Sequence, residues 1–277
     1  MRELLHDKVA IVTGGASGLG RATAILFAQE GARVVIADKN DERGAETVET
    51  IKGFGATAVY QKTDVRSADD VRAVVQTAED TFGKLDIMVA NAGIIGALKP
   101  LEQLEEEDWS LIHEVNLAGV WRSFKYAAPA IRRAGGGSMT ATSSLAGAVT
   151  MSGGMAGAYG AAKAAVCSLT SYFASELTLD SIRVNAVCSG SMITNVLESA
   201  GLPPEVIEAM KPIYVTKPFG SVISPIADPL EVARVHLFLN SELAGFMTGQ
   251  SLVVDGGEFI NKPIAATAGR GPWVGEE

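Results

Sequence analysis

The sequence predicts an α/β fold: a doubly wound parallel sheet of about seven strands, with helices on both faces. Three observations carry this. Short apolar runs alternate with longer amphipathic stretches along the chain. The runs are mostly apolar, as strands covered on both faces require. The first run leads straight into a glycine-rich turn that opens a helix, and the second ends on an acid.

The strand runs fall at residues 8–12, 33–37, 58–61, 85–89, 138–142, 182–187 and 251–254. Helical patterns occupy 19–30, 41–54, 68–82, 106–134, 158–179 and 229–240. Nothing divides the chain, so residues 1–260 are expected to form one domain. The stretch 191–226 carries Pro203, Pro204, Pro212, Pro218 and Pro225 and is expected to leave the body as a substrate-loop excursion. Residues 261–277 read as an extended C-terminal tail.

The 277 residues carry a net charge of −9 without a basic block, which favours neither nucleic acid nor an anionic membrane as partner. No apolar run reaches spanning length and no apolar leader opens the chain, so a soluble, cytoplasmic protein is expected. His6, His113 and His236 are scattered, and Cys167 and Cys188 form no CxxC pair. No metal is expected; the cysteines read as small buried apolar side chains, with a disulfide disfavoured.

The turn after the first strand reads Thr13-Gly14-Gly15-Ala16-Ser17-Gly18-Leu19-Gly20. Glycines let the backbone approach a pyrophosphate, and the helix that follows presents its positive end to that charge. Asp38 closes RVVIAD, placed to accept hydrogen bonds from adenosine ribose hydroxyls and to repel a 2′-phosphate. NAD is therefore expected over NADP, although Lys39 keeps dual use open; Ser17 within the loop, rather than a cation, points the same way. An ATP-type loop fails because Arg21-Ala22 stand where Lys and Ser or Thr are needed.

At this point the chain resembles the short-chain dehydrogenase/reductase family, whose TGxxxGxG signature TGGASGLG matches. The resemblance runs from about residue 6 to 257 and implies the Rossmann-type fold. Asp64-Val65 resembles the pair that contacts adenine, and Asn91-Ala92-Gly93 the turn that lines the cofactor. Tyr159 and Lys163 match the family's YxxxK pair, Ser144 its substrate-binding serine, and Asn116 the asparagine of its proton relay. Gly190 and Thr194 match positions beside the nicotinamide.

Spacing of four puts Tyr159 and Lys163 on one helix face. A free phenol titrates near ~10, and a neighbouring ammonium is expected to lower that value. The resemblance implies that Tyr159 exchanges a proton with the substrate, that Ser144 orients its oxygen, and that Lys163 also bonds the nicotinamide ribose. The expected reaction is reversible oxidation of a secondary alcohol to its ketone.

Two departures from the family pattern stand near the site. The segment 146–158 is about two residues longer, and Cys188-Ser189-Gly190 lacks the usual proline at Ser189, which is expected to loosen that turn. Ile95, Met151, Met155 and Met192 are expected at an apolar rim suited to a bulky or cyclic alcohol. Alternatives are a 3-ketoacyl-type reductase using NADPH, an enoyl reductase, and a non-catalytic NAD-binding regulator. The resemblance also implies a homodimer or homotetramer.

Overall fold

The computed structural model describes residues 3–150, 154–192, 194–200, 205 and 227–257. Its strands are β1 (Val9–Thr13), β2 (Arg33–Asp38), β3 (Ala58–Lys62), β4 (Ile87–Ala90), β5 (Gly137–Ser144), β6 (Ile182–Ser189) and β7 (Ser251–Val254). They form one parallel sheet in the order β3-β2-β1-β4-β5-β6-β7. The expected seven strands are present. Most of the expected excursion, and the whole of 261–277, lie outside the described residues.

Among the described residues, the helices that flank the sheet are α1 (Gly18–Gln29), α2 (Asp41–Gly53), α3 (Ala68–Phe82), α4 (Glu106–His113), α5 (Gly119–Arg133), α6 (Gly157–Leu177) and α7 (Pro229–Asn240). Alternation along the strands sorts the core into two layers. Val9, Ile11, Val35 and Met88 pack with Val74 of α3, Phe124 of α5 and Val166 of α6. Ala10, Val12, Ile36 and Val89 face the other way, onto Phe27 of α1, Val48 of α2 and Leu237 of α7.

Helix starts follow local chemistry. Asn40, Ser67 and Asp228 each accept a backbone N–H of the helix they precede, and Pro229 opens α7. The 106–134 stretch, expected as one helix, is interrupted. A π-helical turn at Glu114–Ala118 separates α4 from α5, and Asn116 sits within it. No described helix is long and apolar enough to cross a membrane.

Strand order reverses between β1 and β4. In sheets of this kind the crevice outside the carboxyl ends of the strands, at such a reversal, is where ligands bind. Thr13, Asp38, Ala90, Ser144 and Ser189 close their strands at that edge.

Candidate active site

The glycine loop is tied down on both sides. Gly15 N–H donates to Ala37 O (3.3 Å), and Ala16 N–H to Asp38 Oδ2 (3.1 Å). Thr13 Oγ1 accepts from the N–H groups of Asn91 (2.9 Å) and Ala92 (3.1 Å), and Asn91 Nδ2 returns a bond to Thr13 O (3.0 Å). The loop and the Asn91-Ala92-Gly93 turn are thus one rigid unit. Gly20 is where they meet most closely: a Cβ there would lie 2.0 Å from Gly14 O.

Ser17 caps α1 without a side-chain bond to the helix, and no acid stands in its first turn. The N–H groups at this helix end are therefore left to an anion, as a dinucleotide pyrophosphate requires. Asp38 also accepts from Asn40 N–H (3.0 Å) through Oδ1, which fixes its carboxylate beside the loop. These residues fit a dinucleotide.

Asp64 lies at the same end, with its carboxylate paired to Arg66 (Nη2–Oδ2 2.6 Å); the guanidinium holds it below the usual carboxylate range. Val65 is buried beside Gly119. Arg43, which the sequence did not single out, pairs with Glu198 at 3.3 Å. Ser199, one residue on, accepts Ile95 N–H at 2.9 Å. The 3₁₀ turn Asn195–Ala200 therefore spans from the first turn of α2 to the turn after β4.

At β5 and α6 the two serines point oppositely, as strand alternation dictates. Ser144 stands beside the Tyr159 phenol and accepts Ala146 N–H (3.1 Å). Ser143 donates to Lys163 O (2.7 Å) and so anchors α6 to the strand. Tyr159 lies in the first turn of α6, and Lys163 follows one turn on, only 2% exposed, donating from Nζ to Thr142 O (2.7 Å).

The expectation that Lys163 lowers the phenol's pKa is corrected here. Burial pushes the Tyr159 phenol up, and the neighbouring Ser144 hydroxyl only opposes that shift. The Lys163 ammonium stands 5.6 Å from the ring centroid and is itself lowered to about 8 by burial.

Asn116 bridges the π-turn to the loop after β4. Its Oδ1 accepts Ile94 N–H (3.1 Å), and its Nδ2 lies 2.8 Å from both Ile94 O and Ile112 O. A Cβ on Gly93 would stand 2.8 Å from Asn116 Oδ1 and 3.4 Å from Lys163 Nζ. The two polar groups therefore face each other across Gly93, with no side chain between them.

The turn after β6 is not loosened by the missing proline. Ser189 is paired in the ladder between Ser144 and Val254, and Gly190 N–H donates to Val254 O (3.0 Å). Without the proline the strand keeps a full set of ladder donors. Thr194 accepts Val196 N–H at 3.4 Å. Of the expected rim, Met155 is 45% exposed, while Met192 packs against the cluster around Val187 and Val232. Met151 lies outside the described residues.

Beneath the site runs a polar network that the sequence did not reveal. Thr140 and Thr142 bind the two ring nitrogens of His236 (3.0 and 3.2 Å), and Thr142 also donates to Asn91 Oδ1 (3.0 Å). Burial drives the His236 pKa down to about 3, so the folded protein keeps it neutral. Unfolded, it binds a proton below pH ~6.5, so its contribution is complete above that value and falls as pH drops toward 3. Urea midpoints should show a loss of about 2 kcal/mol from this group between pH ~6.5 and ~5. His236→Leu should be less stable at neutral pH yet lose less on acidification; an unchanged pH slope would contradict the assignment.

By class, the fold and this site define a nucleotide-binding oxidoreductase. A family model described as "Enoyl-(Acyl carrier protein) reductase" matches residues 14–258. The cis-4-hydroxycyclohexanecarboxylate dehydrogenase of Sinomonas cyclohexanicum is 40% identical over 93% of this chain and 98% of its own. The cyclohexanol dehydrogenase of Acinetobacter sp. strain SE19 is 37% identical over 92% and 96%. A solved 7α-hydroxysteroid dehydrogenase, complexed with NADH and 7-oxo glycochenodeoxycholic acid, superimposes with TM-score 0.81 at 31% identity, covering 92% and 96%. A short-chain type dehydrogenase/reductase from Mycobacterium marinum gives 0.83 at 29%, covering 93% and 97%.

The chain belongs to the short-chain dehydrogenase/reductase family. It is an oxidoreductase of the short-chain type, a family that binds NAD(P).

Proposed function

We propose that this protein interconverts a bulky, apolar or cyclic secondary alcohol and its ketone, with NAD as cofactor. The observation that carries the reading is the meeting of Ser144 and Tyr159 at the carboxyl edge, with Lys163 one helical turn on and the glycine loop alongside. Bound NAD supplies the hydride acceptor.

The chain's own residues handle the proton. Ser144 holds the substrate oxygen against Tyr159, and Tyr159 as phenolate takes the hydroxyl proton. Lys163, through Asn116 across the gap at Gly93, passes a proton toward solvent, and in the cofactor-loaded enzyme it holds the nicotinamide ribose. Gly14, Ser17, Gly18, Leu19 and Gly20 would hold the pyrophosphate, Asp38 the adenosine ribose, and Asp64 and Val65 the adenine. Asn91, Ala92, Gly93, Gly190 and Thr194 would line the nicotinamide end.

Asp38 supports NAD over NADP: its carboxylate is fixed beside the glycine loop and would repel a 2′-phosphate on the adenosine ribose. Turnover with the two cofactors in parallel should favour NAD, and Asp38→Ser should narrow that preference about tenfold, or ~1.4 kcal/mol. An undiminished preference would contradict this role.

The substrate class draws support from relatives named for cyclohexane-ring alcohols, and Ile95 and Met155 are proposed to line an apolar rim. A panel comparing cyclohexanol-type alcohols with polyols tests it; higher kcat/KM for polyols would overturn the apolar pocket. The four-residue spacing of Tyr159 and Lys163 favours this reading over an enoyl reductase. Retention of both residues favours it over a non-catalytic regulator.

The enzyme is proposed to work as a homodimer or homotetramer. Trp109 and Leu111 on α4 and Trp121 on α5 are 39–43% exposed, and the edge strand β7 leaves Val253 half exposed.

A further inference from the structure

Cys167 and Cys188 are 21 residues apart in sequence, yet their sulfurs lie 3.5 Å from each other as free thiols. The expectation of two independent apolar side chains therefore misses a contact made by register. Cys188 pairs with Ser143 in the β5–β6 ladder, and Cys167 lies on α6 one turn beyond Lys163. The Cys167 thiol donates to Ser143 Oγ at 3.3 Å, and the same hydroxyl donates to Lys163 O. Cys188 is buried, while Cys167 is half-buried.

We propose that Cys167 and Cys188 form a reversible thiol–disulfide site, oxidised by a hydroperoxide, that clamps α6 to β6 beside the candidate active site. Cys167 is the attacking thiol because it is the more accessible. Contact with Cys188 lowers its pKa, and the Lys163 ammonium acts in the same direction, which raises its thiolate fraction.

The Cys167 thiolate attacks the outer oxygen of the peroxide: an S–O bond forms, the O–O bond breaks, and the departing oxygen leaves after protonation as water from hydrogen peroxide, or as an alcohol from an organic hydroperoxide. Cys188 sulfur then attacks the sulfenic sulfur, an S–S bond forms, and the sulfenic oxygen leaves as water carrying the thiol proton. Two thiols lose two electrons, and one hydroperoxide gains them. For S–S bonding the sulfurs close from 3.5 Å to about 2.05 Å. That pull acts on the α6 turn that Ser143 ties to Lys163, and on the strand end that leads to Gly190. Lower turnover in the oxidised form is the expected consequence, and this part rests on the dehydrogenase reading.

The test treats the folded full chain with hydrogen peroxide, then follows intact mass, thiol titration, peptide mapping and alcohol oxidation. Expected are loss of the mass of two hydrogen atoms, loss of both thiols, and a peptide linking Cys167 to Cys188. Turnover should fall about fivefold or more and return with dithiothreitol. Cys188→Ala should instead leave a sulfenic acid on Cys167 that a dimedone probe traps. Thiols that stay titratable, or Cys167 passing to the sulfinic acid with no cross-link, would overturn the site. A cross-link with unchanged turnover would overturn only its control of the enzyme, and absence of turnover before oxidation would count against the dehydrogenase reading alone.

Discussion

Tyr159→Phe is expected to lower kcat for alcohol oxidation by about 10²- to 10⁴-fold while NAD binding changes little. The substitution removes one oxygen, the atom beside Ser144, and leaves the ring packed in the first turn of α6. The pH profile separates loss of a base from loss of shape. Burial raises the phenol's pKa, so in the intact enzyme alcohol oxidation should climb as pH rises above neutrality and ketone reduction should fall. The variant's residual oxidation should lack that climb. Unimpaired turnover would remove Tyr159 from the chemistry.

The second large effect is expected at Gly20. An alanine there would put its Cβ 2.0 Å from Gly14 O and 2.6 Å from Asn91 Nδ2. Neither neighbour can yield freely: Gly14 is held at φ +66°, and Asn91 is bonded to Thr13 and Thr142. Gly20→Ala should therefore cost about 1–3 kcal/mol of stability through overpacking. It should also weaken NAD binding at least tenfold, because the loop and the Asn91 turn move apart together. Thermal unfolding and cofactor titration measure the two separately; an Ala variant with unchanged stability and affinity would contradict the close packing described.

Much of this was legible in the sequence for a local reason. Buried parallel strands write themselves as mostly apolar runs, and all seven runs became strands within a residue or two of their expected ends. Tyr159 and Lys163 were legible because one helical turn joins them. What escaped notice depends on register between distant segments. Thr140 and His236, or Ser138 and Asn240, meet only once β5 and α7 are packed, about a hundred residues apart. The strand GSMTATSS is polar, and its buried hydroxyls are matched one by one by α7, Asn91 and α6. The π-turn at Asn116 has no periodicity signal of its own, since both flanks read as ordinary helix. The Cys167–Cys188 contact escaped for the same reason of register.

The central claim is direct hydride transfer from a secondary alcohol that Ser144 and Tyr159 hold. The most direct measurement supplies cyclohexanol deuterated at its carbinol carbon together with NAD, and weighs the cofactor afterwards. Growth of NADH absorbance with the deuterium found on the cofactor, and cyclohexanone released in equal amount, is the predicted result. Tight binding of NAD without reduction by this alcohol or any other secondary alcohol, or reduction without deuterium on the cofactor, would contradict the account.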